Sequence, residues 1–202
     1  MAYTTIDDPS AYFQTTLYTG DGSTTHAITN GGNSDLQPDM VWIKDRGAAN
    51  WHSITDVARG HSKAIFPNDN AAEDTSNAYV KAFNSDGFTL GSAGSDVNAN
   101  SNTYVSWQWK ANGSGNANTA GSINTTATSA NTTSGFSIIT YTGNGSSGAT
   151  IGHGLSTAPQ AVFIKKRTAA NWTVGHVGVG WTKNGKLNTI DSFGVSALSF
   201  NN

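Results

Sequence analysis

The side chains that could carry chemistry are five histidines and 13 carboxylates, in a chain without cysteine. None of the histidines, His26, His52, His61, His153 and His176, lies in the H-E-x-x-H spacing that brings two imidazoles onto one metal ion. No pair of carboxylates is marked as an acid and a nucleophile, and the chain has neither a G-x-S-x-G elbow nor a phosphate-binding loop. We therefore expect no catalytic site, no metal site and no cofactor, in a protein that is not an enzyme.

Two tryptophans point instead to recognition. Trp51 follows "RGAAN" and Trp172 follows "RTAAN". An exposed indole can stack on a sugar ring while neighbouring polar groups bind the hydroxyls. With Arg46 and Arg167 at the start of the two loops, these residues are candidate contacts to a ligand or partner. The other interpretation, which we favour, is that each indole packs its loop onto the body of the protein.

The composition indicates an all-β protein. Charged residues make up 12% of the chain, about half the usual ~25%, and Gly, Ser, Thr and Asn are abundant, which favours turns and strand edges over helices. A net charge of −2 gives no reason to expect nucleic acid as a partner. No apolar run is long enough for membrane insertion, and the first residues do not form a secretion signal.

Parts of the sequence occur twice. "VWIKDRGAANW" returns as "VFIKKRTAANW", and "FQTTLYTGDGS" returns as "FSIITYTGNGS". Such a repeat indicates a duplicated domain, and a pattern kept in both copies is typical of a fold rather than of a catalytic site. The residues that we interpret as its structural signature are Trp42, Lys44, Phe163 and Lys165 in the repeat, with Trp107 and Trp109 in a later strand.

Short strands separated by turns predict a β-sandwich of the jelly-roll kind. "DMVWIKDR" carries apolar residues on both faces and predicts a central strand. In "NTYVSWQWK" the tryptophans share one face, and we expect Trp107 and Trp109, like Trp42, to lie in the core. The dipeptides Asp21-Gly22 and Asn144-Gly145 suit two-residue hairpins, and Asp86-Gly87 predicts a turn between two strands.

We expect two modules joined by a linker. Residues 1–111 form the first sandwich, 112–122 a flexible Gly/Ser/Asn linker, and 123–202 a second, partial copy. The alternation of Ile123, Thr125 and Ala127 indicates the first strand of this copy. The second copy has no counterpart of "FNSDGFTLGS" or "NTYVSWQWKANG". Half a sandwich leaves strand edges open, so either the chain is truncated after Asn202 or neighbouring subunits supply the missing strands.

The motifs as a whole resemble a known family. "MAYTTIDDPSAYFQTTLYTGDGS", "QPDMVWIKDR", "FNSDGFTLGS", "NTYVSWQWKANGSG" and "TTSGFSIITYTGNGS…IGHGLSTAPQAVFIKKR" resemble tail-fibre-like structural proteins of marine bacteriophages, including those of cyanobacteria. The resemblance covers nearly the whole chain. It implies a virion location and contacts with other tail or capsid proteins, without catalytic residues.

We therefore expect a tail fibre or a tail-attached adaptor that contributes to host attachment, in the form of a homotrimer. A surface glycan of the host is a possible ligand. A capsid decoration protein and a carbohydrate-binding module are the alternatives. The segment before the first strand is a candidate anchor onto a virion partner through Asp7, Asp8 and Tyr12.

Overall fold

The protein is all-β, as its composition predicts. The computed structural model describes residues 6–76, 78–91, 94–196 and Phe200. In these ranges there is no α-helix, only two short 3-10 turns, Pro9–Ala11 and Val177–Val179, so no described helix is of the length and apolarity that a membrane span needs. The strands pair antiparallel in every sheet.

The first module is a sandwich of two sheets. Its strands are β1 (Phe13–Thr19), β2 (His26–Ile28), β3 (Met40–Asp45), β4 (Ser53–Asp56), β5 (Val80–Asn84), β6 (Gly87–Leu90) and β7 (Thr103–Trp109). One sheet has the order β1-β7-β3-β4 and the other the order β2-β6-β5. As predicted, β3 is a central strand, because β7 pairs with one of its edges and β4 with the other.

The core lies between these two sheets. Val41 and Ile43 point inward from β3, and Phe88 and Leu90 point toward them from β6. On β7 the buried face is that of Tyr104, Ser106 and Gln108. The prediction that Trp42, Trp107 and Trp109 form the core is therefore wrong: these rings lie half-buried on the outer face of the four-stranded sheet, since side chains alternate across a strand.

The second module consists of three separate strand pairs. Its strands are β8 (Ala127–Asn131), β9 (Phe136–Thr140), β10 (Ala161–Ile164), β11 (Thr173–His176), β12 (Lys183–Asn184) and β13 (Gly194–Val195). They pair as β8 with β9, β10 with β11, and β12 with β13. In the described part of the chain no strand pairs with β9 or β10 in the way that β7 pairs with β1 and β3.

One predicted turn is confirmed and two are not. β5 and β6 form a hairpin in which Asn84 pairs with Gly87. Asp21-Gly22 is not a two-residue hairpin, because β1 and β2 lie in different sheets and this dipeptide crosses between them. Asn144-Gly145 does not close a hairpin either, since the next described strand begins only at Ala161.

The segment predicted as a linker is hydrogen-bonded to the second module. Asn116 forms a bridge with Thr128 of β8, and Ile123 forms one with Ile151. From Ile123 to Ser129 every second side chain is buried. The alternation over residues 123–127 thus predicted a buried face correctly, although the assigned strand begins only at Ala127.

Candidate interaction surface

The loop after β3 is built around a buried carboxylate. Asp45 accepts hydrogen bonds from the Gly47 N–H at 2.8 Å, from Asn50 Nδ2 at 2.8 Å and from Asn102 Nδ2 at 2.9 Å. Burial pushes the pKa of Asp45 upward, but these bonds outweigh burial and hold the pKa below its ordinary value. The loop therefore holds one conformation around an ionised carboxylate.

Lys44 closes the same loop from outside. Its Nζ donates to the carbonyl oxygens of Asp45 and Ala48. Lys165 in the second module does the same, donating to the carbonyls of Lys166 at 2.8 Å and Thr168 at 3.3 Å. The repeated lysine thus binds loop carbonyls in both copies, which explains why a structural signature keeps it.

Trp51 is presented at the end of this loop. Its side chain is 41% exposed, and its ring centroid lies 4.8 Å from that of Phe66. Its backbone N–H donates to Asp96 Oδ1 at 3.2 Å. Burial, with the charge of Asp45 nearby, raises the pKa of Asp96. The indole is fixed by an aromatic contact on one side while much of it stays open to solvent.

Arg46 starts the same loop, and its side chain is exposed. Within the described part of the chain its side chain has no hydrogen bond and no ion pair. A guanidinium without a partner in the protein can bind carboxylates, phosphates or sugar hydroxyls. Trp51 and Arg46 are thus two side chains of this loop that remain available to a ligand, and we call the exposed side of the loop the Trp51 surface.

Trp172 and Arg167, their counterparts in sequence, are used inside the molecule. Trp172 is 4% exposed, packs with Ile54 and Ile65, and donates from Nε1 to the Phe66 carbonyl at 2.7 Å. Arg167 binds Glu73 from two nitrogens, with Nη2 at 2.6 Å from Oε1. These two residues attach the second module to the first.

The loop before Trp172 is one residue shorter than the loop that carries Trp51, and this difference gives the two indoles different surroundings. Ser53 pairs with Ile43, and Thr173 pairs in the same way with Ile164. Arg46 is seven positions before Ser53 (53 − 46), whereas Arg167 is six before Thr173 (173 − 167). A shift of one residue turns a side chain to the other face of an extended chain.

Side-chain hydrogen bonds show the same shift. The N–H of His52 donates to Asn68 Oδ1 at 2.9 Å, and the N–H of Trp172 donates to Asn188 Oδ1 at 3.0 Å. Trp172 thus takes the backbone place of His52 and not that of Trp51, which explains why one indole is open and the other buried.

A cluster of four charged residues supports the contact between modules. Arg59 Nε lies 2.7 Å from Asp56 Oδ2, and Arg59 Nη1 lies 3.1 Å from Glu73 Oε2. Burial raises the pKa of Glu73, but hydrogen bonds from Arg167 and Arg59 outweigh it and lower the pKa. Two cations balance two anions, which is the condition for burying charge.

A stacked aromatic pair completes the contact. The rings of Trp109 and Phe136 lie 5.9 Å apart with 23° between their planes. Trp109 and Trp42 belong to the outer face of the four-stranded sheet, so the second module covers part of that face. Trp109, Phe136 and Trp42 thus belong to the boundary between the modules.

The candidate anchor is partly used within the protein. Asp8 accepts from the Ser10 N–H at 2.9 Å and from the Ser34 hydroxyl at 2.6 Å, and these bonds with that of the Ser10 hydroxyl lower its pKa. Tyr12 is half-buried, and its carbonyl accepts from the Lys110 N–H at 2.8 Å. Asp7 is exposed and is the member of this set that a partner can reach.

The described residues contain no group of three His, Asp or Glu side chains placed to hold a metal ion. Two open clefts, of about 390 and 460 Å³, lie beside β8 and along β1. Both are lined by neutral side chains, so the described residues place no general acid or base in them.

Comparison with known families identifies the chain. Residues 8–202 match the model of a family described as a domain of unknown function, DUF7483. The chain belongs to the DUF7483 family. No curated protein and no solved structure matches it.

Sequence reasoning missed the residues that join the two modules of this DUF7483 chain. Asp56 and Glu73 stand in polar, turn-like stretches of the sequence, which do not distinguish them from the other carboxylates. The one available signal was Arg59, three positions after Asp56, since this spacing suits a local ion pair. Nothing in the sequence linked Glu73 to Arg167, because the two are 94 positions apart.

Proposed function

We propose that this protein is a non-enzymatic structural component of a bacteriophage particle, a tail fibre or a tail-attached adaptor that contributes to host attachment. The motif resemblance over nearly the whole chain supports a virion protein. The observation that carries the proposal is the joining of two repeats by Trp172, Arg167 and the Trp109–Phe136 stack. Two modules held together in this way suit a structural component better than an enzyme that turns over a substrate.

The polar, charge-poor surface supports an extracellular particle. Charged residues make up 12% of the chain, so binding to neighbours depends little on long-range charge, which salt screens within about 8–10 Å. The exposed apolar side chains of the second module, among them Phe163 at 54% and Val195 at 82%, favour contact with other subunits. We propose a homotrimer, in which each copy covers such surfaces of its neighbour.

The location can be tested by electron microscopy of intact virions with gold-labelled antibody against this protein. Label on the tail is expected for a fibre or adaptor. Label spread over the head would replace this proposal with a capsid decoration protein, and absence of label from purified virions would refute a virion role.

Host attachment would use the Trp51 surface. A half-exposed indole fixed against Phe66 is suited to stack on a sugar, and the guanidinium of Arg46 in the same loop is available for the hydroxyls, which also favours the carbohydrate-binding alternative. Calorimetry with host surface polysaccharide compares the natural chain with Trp51→Ala. The matched control is Leu17→Ala, which removes an apolar side chain 61% exposed elsewhere on the first module.

We expect Trp51→Ala to abolish the heat of binding and Leu17→Ala to retain it. Equal binding by both variants would show that the glycan, if bound, is held elsewhere. No heat with the natural chain would remove glycan binding from the proposal while leaving the virion location to the microscopy.

A further inference from the structure

One loop of the first module, residues 66–73, lies between the loop that follows β3 and the second module. It is held at its base by Ala64 and Asp74, each of which donates its N–H to the carbonyl of the other at 2.9 Å. Within it, the Asp69 N–H donates to the Phe66 carbonyl at 3.2 Å. This segment therefore has a shape of its own, and we call it the 66–73 loop.

On one side, the 66–73 loop supports the indole of Trp51. The ring of Phe66 lies 4.8 Å from the indole, centroid to centroid, with 48° between the two planes. The residue after Trp51 is bonded to the same loop, since the His52 N–H donates to Asn68 Oδ1 at 2.9 Å. The position of the exposed indole therefore depends on where the 66–73 loop lies.

On the other side, the second module binds the same loop through its main chain. The Ala170 N–H donates to the Asn70 carbonyl at 2.9 Å, and the Glu73 N–H donates to the Arg167 carbonyl at 2.8 Å. The two runs of chain thus lie antiparallel to each other. Arg167 adds its ion pair with the Glu73 carboxylate. The docked second module therefore fixes this part of the 66–73 loop.

Phe66 takes part in both contacts. Its ring packs against the indole of Trp51, and its carbonyl accepts from Trp172 Nε1 at 2.7 Å. The residue is only 1% exposed, and in a close-packed interior its ring and its carbonyl cannot move independently. The two tryptophans of the repeat are thus linked through a single residue.

Opening of the second module would release one half of the 66–73 loop and leave the other half held. Arg59 Nη1 lies 3.1 Å from Glu73 Oε2, and because both residues belong to the first module, this ion pair does not depend on docking. The other half loses the indole donor at Phe66 and the main-chain donor at Asn70. That half carries the groups that hold Trp51 and the amide after it.

We propose that the 66–73 loop couples the docking of the second module to the position of the Trp51 indole. In the docked state the loop presents the Phe66 ring as a fixed support for the indole and the Asn68 side chain as an acceptor for the next amide. In the opened state the loop shifts and the indole becomes mobile. Local opening of this kind supplies the two states that both contacts bias. Both states belong to the free protein, so the coupling does not depend on a ligand.

For a partner that binds the Trp51 surface, the coupling has a direction. A partner that stacks on the fixed indole binds the docked state more tightly than the opened state. Since coupling between two equilibria is reciprocal, the same partner holds the second module in place. Under the proposed host attachment, binding of a glycan would therefore hold the two modules together more firmly.

The first test weakens docking away from Trp51 and follows amide hydrogen exchange in the full chain. Arg167→Ala removes the ion pair with the 66–73 loop. We expect about fivefold faster exchange both in β10 and at the His52 N–H. Faster exchange in β10 with an unchanged rate at His52 would overturn the proposal, because the second module would then open without moving the loop. Unchanged rates at both would also overturn it, because docking would then not depend on this loop.

Two controls show whether the effect passes through the 66–73 loop. The Gly47 N–H belongs to the same loop as Trp51 but donates to Asp45, so its rate should stay unchanged in Arg167→Ala. Lys183→Ala removes an exposed cation of the second module whose side chain has no hydrogen bond or ion pair among the described residues. This variant should keep all the natural rates. Faster exchange at Gly47 would mean that the whole first module is loosened, which contradicts a specific coupling.

The indole itself is followed by fluorine NMR of the chain labelled with 5-fluorotryptophan, with the Trp51 signal assigned from Trp51→Phe. Trp172→Phe keeps a buried ring but removes the donor to the Phe66 carbonyl. In this variant and in Arg167→Ala we expect the Trp51 signal to narrow and to move toward that of free 5-fluorotryptophan. In Lys183→Ala it should stay in place. A Trp51 signal identical in all three variants would refute the coupling.

Reciprocity supplies the last test. Trp51→Ala removes the indole from the 66–73 loop and should speed exchange of the Ala170 N–H, which donates to that loop from the second module, by about twofold or more. Leu17→Ala, which removes an exposed apolar side chain elsewhere on the first module, should leave the Ala170 rate unchanged. Equal Ala170 rates in the two variants would show that docking does not depend on Trp51, and the proposal would be wrong.

Discussion

Single side chains decide how the two copies are used. Trp51 and Trp172 follow the same "AAN" motif, yet one is 41% exposed and the other 4%. The difference follows from one residue in loop length, which moves the second indole into the contact between modules. Residue type marks both tryptophans as candidates, whereas burial decides which of them a ligand can reach.

Replacing Trp172 by alanine should destabilise the fold strongly. The change removes a buried indole and leaves the Phe66 carbonyl without its donor, and large-to-small changes of this kind cost about 3–5 kcal/mol. Trp51→Ala is the matched control and should cost at most about 1 kcal/mol, because the ring is half-exposed. Urea unfolding measures both, and equal losses would contradict the buried contact.

Acid should weaken the contact between modules through Glu73. Its folded pKa lies below the ordinary 4.5, so the unfolded chain binds the proton more readily than the folded one. The stabilisation is present above pH 4.5 and is lost as the pH falls through the folded pKa. Glu73→Gln should therefore flatten the dependence of the free energy of unfolding on pH below about pH 5. An unchanged slope in urea titrations at several pH values would show that Glu73 is not responsible.

At the scale of elements, the alternation of side chains and the turn residues determine where strands lie in the sequence. The strands with which each one pairs determine the sheets. The β5–β6 hairpin depends on Gly87, which has φ = 100°. A Cβ at this position would lie against the Ile28 carbonyl of the neighbouring strand β2. The glycine is thus required both by its backbone conformation and by the close approach of β2.

Gly87→Ala should therefore destabilise the first module by about 2 kcal/mol or more, from the left-handed strain and the displacement of β2. The control is Gly31→Ala, where a Cβ would meet no atom within 4 Å and the change should stay within about 0.5 kcal/mol. Thermal unfolding compares the two variants. A Gly87→Ala protein as stable as Gly31→Ala would mean that β2 can move away freely.

At the scale of the whole molecule, the second module depends on the first. Its described strands form three separate pairs, and its buried tryptophan packs on Ile54 and Ile65 of the first module. Arg167 adds a bidentate bond to Glu73, a carboxylate with a side chain only 6% exposed. The second module is therefore expected to open more easily than the first.

Arg167→Ala should raise hydrogen exchange in β10 and β11 and lower overall stability by about 1 kcal/mol, since one partner of this ion pair is exposed and screened by solvent. Arg46→Ala, its counterpart in the first module, should leave both unchanged, because Arg46 has no partner among the described residues. Faster exchange throughout the first module as well would show that the two modules unfold as one unit.

The sequence by itself determined the duplication, the all-β class, the central position of β3 and the alternation of β7, because these depend on local patterns with periods of two residues or on internal copies. Tertiary structure decided which face of β7 is the core, that Asp21-Gly22 crosses between sheets, and that Glu73 meets Arg167 across 94 positions. It also decided that, among the described residues, no strand pairs with β9 or β10 in the way that β7 pairs with β1 and β3. Side-chain periodicity shows that successive residues of a strand point to opposite faces, but it does not show which face is buried. Burial depends on segments that are distant in sequence.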